Sequence, residues 1–185
     1  MAYQFEKTIN GLKYIISLER RTAVLTGYKC GIGPHVDIPS TVICDGKSYH
    51  VNQIGEGAFK GCLGVASVTI PETVFEIKAE AFKDCSDLTR IIIPDSVHTI
   101  ENFAFANCKK LIWVRCEIHF PEWLNEWTGN IFLGPSYENI FDGSNTGKCT
   151  LYVPATSIND YRYAMGFHKI KNIFPIKRDE TIFSK

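Results

Sequence analysis

The chain has 185 residues, 45% hydrophobic and 22% charged, with 20 Lys and Arg balanced by 20 Asp and Glu. That length predicts one domain, or one domain with an appendage, and the apolar fraction excludes a disordered chain. Zero net charge argues against a strongly basic nucleic-acid binder and an acidic solvating tail, while leaving local patches open.

The first residues, Met1 to Lys7, have neither a basic start nor an apolar core. They do not read as a secretory signal, so the expectation is an intracellular protein or one whose signal has been removed. No apolar run approaches the roughly 18 residues of a membrane-spanning helix. Tyr3 to Ile9 and Leu12 to Leu18 alternate around Asn10-Gly11, which predicts a hairpin, and Ala23 to Tyr28 predicts a third strand. Asp45-Gly46 between β-rich runs predicts a second tight turn.

Next comes an internal repeat. Ala58-Phe59-Lys60-Gly61-Cys62 recurs as Ala81-Phe82-Lys83-Asp84-Cys85 and Ala104-Phe105-Ala106-Asn107-Cys108, each a step of 23 residues. Ile54, Ile77 and Ile100 keep the same step, as do Val65, Leu88 and Leu111, and Val68, Ile91 and Val114. Ile70-Pro71 matches Ile93-Pro94, and Val74 matches Val97. Leu88-x-x-Ile91-x-Ile93 places two alternating side chains on one face of a short strand, and the following Pro ends it. Such a unit cannot bury its apolar face alone; stacked units at about 4.8 Å can. Weaker copies extend the array at both ends. Ile38-Pro39 lies 32 residues before the Ile70 column, and Ile140-Phe141-Asp142-Gly143 and Leu151-Tyr152-Val153-Pro154 lie downstream. Ser157-x-x-Asp160 suggests a capping box before a short helix, Tyr161 to Met165, stopped at Gly166. Ile173-Phe174-Pro175-Ile176 would add the last strand.

Seven cysteines cannot all pair within the chain, and no C-x-x-C pair or zinc-ligand spacing occurs. Cys62, Cys85 and Cys108 occupy one repeat column, which predicts a ladder of buried, reduced thiols acting as small hydrophobes. Cys116 replaces the Ile70/Ile93 column and is expected in the core. Gly55-Glu56-Gly57-Ala58-Phe59-Lys60-Gly61 superficially resembles a kinase glycine loop, but its sister segments lack the glycines, so the repeat explains it better. The five histidines form no H-E-x-x-H, and no G-x-S-x-G is present. No catalytic, cofactor-binding or metal-binding residue is assigned.

The outward strand positions are the candidate binding residues: Ser67 and Thr69, Arg90 and Ile92, Trp113 and Arg115, Thr150 and Tyr152. Trp, Tyr and Arg are enriched at binding hot spots, and Trp113 flanked by Arg90 and Arg115 would form an anchor unless the insertion at 117–139 roofs it. That insertion carries Trp123 and Trp127, four residues apart, which offer either a ligand platform or a private mini-core.

I-G-E-G-A-F-K-G-C (54–62), I-K-A-E-A-F-K-D-C (77–85), L-T-R-I-I-I-P (88–94) and T-L-Y-V-P (150–154) resemble the BspA-like leucine-rich repeats, common in gut and oral Bacteroidetes. The resemblance runs from about residue 5 to 176 and departs at 117–139 and at Glu117, where a Pro is expected. It implies a secreted or surface-displayed protein that binds proteins, extracellular-matrix components included; the missing signal and unpaired thiols leave a cytoplasmic location as the alternative. It carries over no catalytic residue.

The resulting expectation is a single-domain, β-rich solenoid, a right-handed stack of coils. Residues 1–35 form an N-terminal β-hairpin cap and 36–116 the coils. The insertion spans 117–139, the degenerate last coil 140–156 and the small helical cap 157–185. Function is expected to be non-catalytic protein recognition or adhesion through Arg90, Ile92, Trp113, Arg115 and Tyr152 on the strand face and Trp123 and Trp127 in the insertion. A glycan-binding module using Trp123 or Trp127 and a structural spacer are the alternatives.

Overall fold

The computed structural model describes residues 3–31, 33–119, 139–164 and 166–177. Strands β1 (Gln4–Ile9) and β2 (Leu12–Ser17) pair antiparallel, with Ile9 opposite Leu12. Asn10 and Gly11 have φ of 49° and 77°, the two left-handed residues of a type I′ turn. Strand β3 (Thr22–Tyr28) adds antiparallel to β2. After β4 (His35–Asp37), strands β5 (Thr41–Cys44) and β6 (Lys47–Ile54) form the second hairpin. Its turn residues, Asp45 and Gly46, repeat the same conformation at 50° and 72°.

From β6 onward each repeat sends one strand to each of two sheets. Strands β7 (Ser67–Thr69), β9 (Arg90–Ile93) and β11 (Trp113–Cys116) join one, and β8 (Glu76–Ile77) and β10 (Thr99–Ile100) the other. The first sheet runs β4-β7-β9-β11-β12-β13, with β12 at Thr150–Val153 and β13 at Asn172–Pro175. The second runs β1-β2-β3-β6-β8-β10, with β5 on β6. Successive coils pair in parallel, so the 23-residue step appears as register: Val68 faces Ile91, Ile91 faces Val114, and Ile54, Ile77 and Ile100 align. All these residues are buried. Cys116 faces Ile93 and is itself fully buried, as its column predicts. The longer steps do not disturb the stack. Val36 still faces Val68 because the surplus residues form the β5–β6 hairpin, and Val114 still faces Leu151.

Between the sheets runs a spine of aromatic rings. Phe59, Phe82, Phe105 and Phe141 stack with centroids 4.9, 5.1 and 5.5 Å apart, the spacing imposed by adjacent backbones about 4.8 Å apart. Tyr28 meets Phe59 at one end, and Phe167 meets Phe141 edge-on at the other. The chain turns around each ring through two left-handed columns, Gly57/Glu80/Phe103 and Gly61/Asp84/Asn107/Gly143. The glycines at 57 and 61 therefore serve a turn shared by coils that lack them. Backbone bonds also join coils here: the amides of Phe59, Phe82 and Phe105 donate to Ala81, Ala104 and Ile140.

The cysteine column departs from expectation. The Cys85 thiol donates to the Phe59 carbonyl at 3.0 Å and Cys108 to Phe82 at 3.3 Å. Burial pushes the Cys85 thiol up to about 12 and raises Cys108 further. Cys62, expected to be a third reduced thiol, instead forms a disulfide with Cys30, their Cα atoms 5.4 Å apart. Each thiol of the column reaches back by one coil; the segment preceding the Cys62 coil is the link after β3, where Cys30 lies.

At the far end, a 3-10 turn (Ala155–Ser157) leads into helix α1 (Ile158–Tyr163). The expected capping box is not formed. Ser157 makes no side-chain cap bond, and its φ and ψ of −106° and 6° lie outside the extended geometry of an N-cap. The helix also begins and ends earlier than expected, stopping at Ala164 rather than Gly166. Tyr161 is buried, its hydroxyl donating to the Ile118 carbonyl at 3.1 Å and lying 3.0 Å from the Cys116 sulfur.

Ion pairs run across the coils as well. Lys78 bridges Glu76 at 3.0 Å and Glu101 at 2.8 Å, and Gln53 donates to Glu76. The Lys78 ammonium holds the Glu76 carboxyl below its usual range, and the hydrogen bond to Glu101 raises Lys78. Their stabilising contributions have opposite pH limits. That of Glu76 is present above its unfolded value near 4.5 and lost as pH falls through its depressed folded value. That of Lys78 is present below 10.5 and lost as pH rises through its raised folded value. Urea titrations across pH should therefore show a loss of up to about 1 kcal/mol at each extreme, since the groups are partly exposed. Lys78→Met should shrink both losses; an unaltered pH profile would refute the assignment.

Candidate functional site

The outer face of the parallel sheet is built by alternation. Val36, Val68, Ile91, Val114 and Leu151 point into the core, so their strand neighbours point out. Parallel register then sorts the outward residues into two rows. One holds His35, Ser67, Arg90, Trp113, Thr150 and Asn172; the other holds Asp37, Thr69, Ile92, Arg115, Tyr152 and Phe174. Arg90, Ile92, Trp113, Arg115 and Tyr152 are all half-buried and adjacent, as their spacing predicts. Trp123 and Trp127 lie outside the described residues.

The face has two chemically distinct halves. Toward β4 it is polar: the His35 ring nitrogen lies 2.7 Å from the Ser67 hydroxyl. A depression of about 320 Å³ there is lined by His35, Asp37, Ser67, Thr69, Arg90 and Ile92. Toward β13 it is aromatic. Trp113 and Tyr152 have centroids 5.6 Å apart, and Tyr152 and Phe174 6.2 Å apart. Phe174 is 52% exposed. Its sequence context predicts only a closing strand; its alternation with the inward Ile173 is the signal that places it on this face.

Both arginines stand next to Trp113 on this face, Arg90 across from it on β9 and Arg115 two residues along its own strand. Arg115 also lies beside Ile92 and Tyr152. The Arg115 guanidinium pairs with Glu117 at 2.7 Å, and its Nε is buried without a hydrogen-bond partner among the described residues. Its charge is committed along its own strand. This accounts for Glu117 in place of the expected Pro: the residue pairs Arg115, and its amide donates to Ile93. The indole of Trp113 meets the Tyr152 ring.

The family model for the BspA type leucine rich repeat region matches residues 47–149, in six copies. No curated protein matches significantly. Among solved structures, a leucine-rich repeat protein from Bacteroides capillosus superposes with a TM-score of 0.63 at 26% identity, covering 81% of this chain and 99% of that one. One from Bacteroides ovatus gives 0.61 at 28% identity, over 81% of this chain and 38% of that one. The leucine rich repeat protein of T. pallidum, at 22% identity and a TM-score of 0.58 over 92% of this chain and 83% of that one, shares the fold. With its repeat matched over more than half its length, the chain belongs to the BspA-type leucine-rich-repeat family.

Proposed function

We propose that this chain is a non-catalytic binding module, a short solenoid that recognises a protein partner through its outer strand face. The N-terminal hairpin and the helical C-terminal segment act as its end caps, and 117–139 is an insertion in the repeat array. Leucine-rich-repeat proteins are in general interaction modules, which supports the class of function. The observation that carries the reading is the contiguous Trp113–Tyr152–Phe174 run next to the half-buried Arg90 and Ile92. Aromatic and arginine side chains concentrate binding energy because they bury large area at low entropic cost. Arg115 shapes the edge of this surface through its pair with Glu117. The location we assign is extracellular or cell-surface, supported by the disulfide, which persists in oxidising compartments.

The test is site-specific. A photo-crosslinking amino acid at position 174 should capture a discrete partner, whereas the same group at Tyr163, exposed but off the face, should not. Trp113→Ala with Tyr152→Ala should weaken the affinity of that partner at least about tenfold. Capture that is equal at both positions, or insensitive to the double change, would overturn the reading. A captured glycan whose binding depends on Trp123 or Trp127 would favour the lectin alternative.

A further inference from the structure

The strand-face sheet has one end that closes differently from the other. Strand β13 ends it with Pro175, which has no N–H to offer an added strand. The opposite end is β4, only three residues long, which among the described residues pairs with β7 alone. In a parallel ladder successive peptide groups point to opposite sides. Pro34 accepts from Ser67 and Ile38 donates to Thr69, so residues 34, 36 and 38 face β7. The N–H and C=O groups of His35 and Asp37 therefore face the open edge, and no backbone hydrogen bond occupies them among the described residues.

Beneath that edge lies a cleft of about 210 Å³ between β4 and the first hairpin, lined by Ile9, Leu12, Tyr14, Tyr28, Val36 and Asp37 among others. It is smaller than the about 300–1,000 Å³ of small-molecule pockets, a size suited to one side chain. Tyr14 lines it while only 1% exposed, and its hydroxyl is buried with no hydrogen-bond partner among the described residues. Such orphaned groups are rare and costly. Burial alone pushes this hydroxyl up to about 12, so it stays a neutral donor and acceptor at ordinary pH. At the rim, Asp37 is exposed and makes no ion pair among the described residues, whereas its neighbour His35 is held by Ser67.

We propose that the β4 edge and this cleft form a second binding site, adjoining the polar end of the strand face, for an extended peptide of a partner protein. The peptide pairs its backbone with His35 and Asp37, inserts one aromatic side chain with a polar tip into the cleft, and sets a basic residue against Asp37. Each part follows from what the site lacks. Among the described residues, the edge lacks backbone partners, Tyr14 lacks a hydrogen bond, Tyr28 offers a ring wall, and Asp37 lacks a cation. Because β4 is short, backbone pairing extends over about three residues, and the inserted side chain supplies the selectivity. A tyrosine flanked by lysines meets all four requirements.

The probe is the blocked peptide Ac-Thr-Lys-Tyr-Lys-Thr-NH2, titrated into the ¹⁵N-labelled full chain. Saturable shifts are expected at the His35, Val36 and Asp37 amides. Replacing the peptide's Tyr by Ala should weaken binding at least about tenfold. Methylating its backbone nitrogens should abolish binding. Tyr14→Phe should weaken the Tyr peptide about fivefold and leave a Phe peptide unaffected, which isolates the hydroxyl contact. Absence of saturable shifts at millimolar peptide would overturn the proposal. So would equal shifts from p-cresol alone, which would mark a small-molecule cleft, or the same shifts on concentrating the protein alone, which would mark a second copy on the edge. The peptide-side changes need no protein variant. The crosslinking test at position 174 probes the opposite end of the sheet, so the two readings fail separately.

Discussion

Phe82→Ala is expected to lower the unfolding free energy by about 3–5 kcal/mol, the cost of removing a large side chain from a packed core. Phe82 is fully buried and stacks on Phe59 and Phe105 at 4.9 and 5.1 Å. Its loss removes two ring contacts and leaves a cavity that the shared turn geometry prevents from collapsing. Its carbonyl also accepts the Cys108 thiol, so a backbone shift there would disturb the next coil. Against the 5–15 kcal/mol typical of a domain, this is a large fraction. In a stack stabilised by nearest-neighbour contacts, a break in the middle also separates the coils on either side. Phe82→Leu keeps most of the buried area and should cost roughly half as much, because what it loses is the stacking contribution. Urea unfolding of the two variants checks this; a midpoint unchanged by Phe82→Ala would show that the spine contributes nothing to stability.

Reduction of Cys30–Cys62 has the second large effect. The bridge joins residues 32 apart, and closing a loop of that length stabilises by about 3–4 kcal/mol in the chain-entropy account. For a chain of this size that corresponds to a melting-temperature loss on the order of 10 °C. Cys30→Ser should reproduce it, because Cys30 is exposed and its replacement leaves no cavity. Thiol titration of the denatured, unreduced protein gives a second readout. Five of the seven cysteines should react, and in the native fold these five should be protected, since all are buried. Seven reactive thiols after denaturation, or equal melting temperatures for the oxidised protein and Cys30→Ser, would remove the bridge from the account of stability. The same bridge ties the link after β3 to the first full coil, close to the β4 edge, so its reduction should also weaken peptide binding there.

Much of the architecture is written locally. A hairpin turn needs two left-handed residues, and Asn10-Gly11 and Asp45-Gly46 adopt that conformation readily, so both turns were legible. The 23-residue step was legible because each coil repeats the same burial problem: Ile91 and Ile93 point in, Arg90 and Ile92 point out, and the next coil must match. Cys116 was legible as core because its column is a core column. Ser157 misled, since an S-x-x-D pattern carries no information about the 3-10 turn that already bends the chain before it.

The contacts that shape the surface follow a different rule. Cys30 belongs to no repeat, so nothing in its neighbourhood names Cys62 as partner; only the fold of the chain after β3 brings their Cα atoms to 5.4 Å. The commitment of Arg115 to Glu117 and the run from Trp113 through Tyr152 to Phe174 depend on how side chains lean between strands that are distant in sequence. The orphaned Tyr14 hydroxyl arises where a hairpin meets the end of a different sheet. Periodicity by itself determined the coils, their core columns and the outward rows, because burial repeats with the backbone. Tertiary structure alone decided the disulfide, the pairing of charges and rings on the face and the open β4 edge, because each is a meeting of segments that share no period.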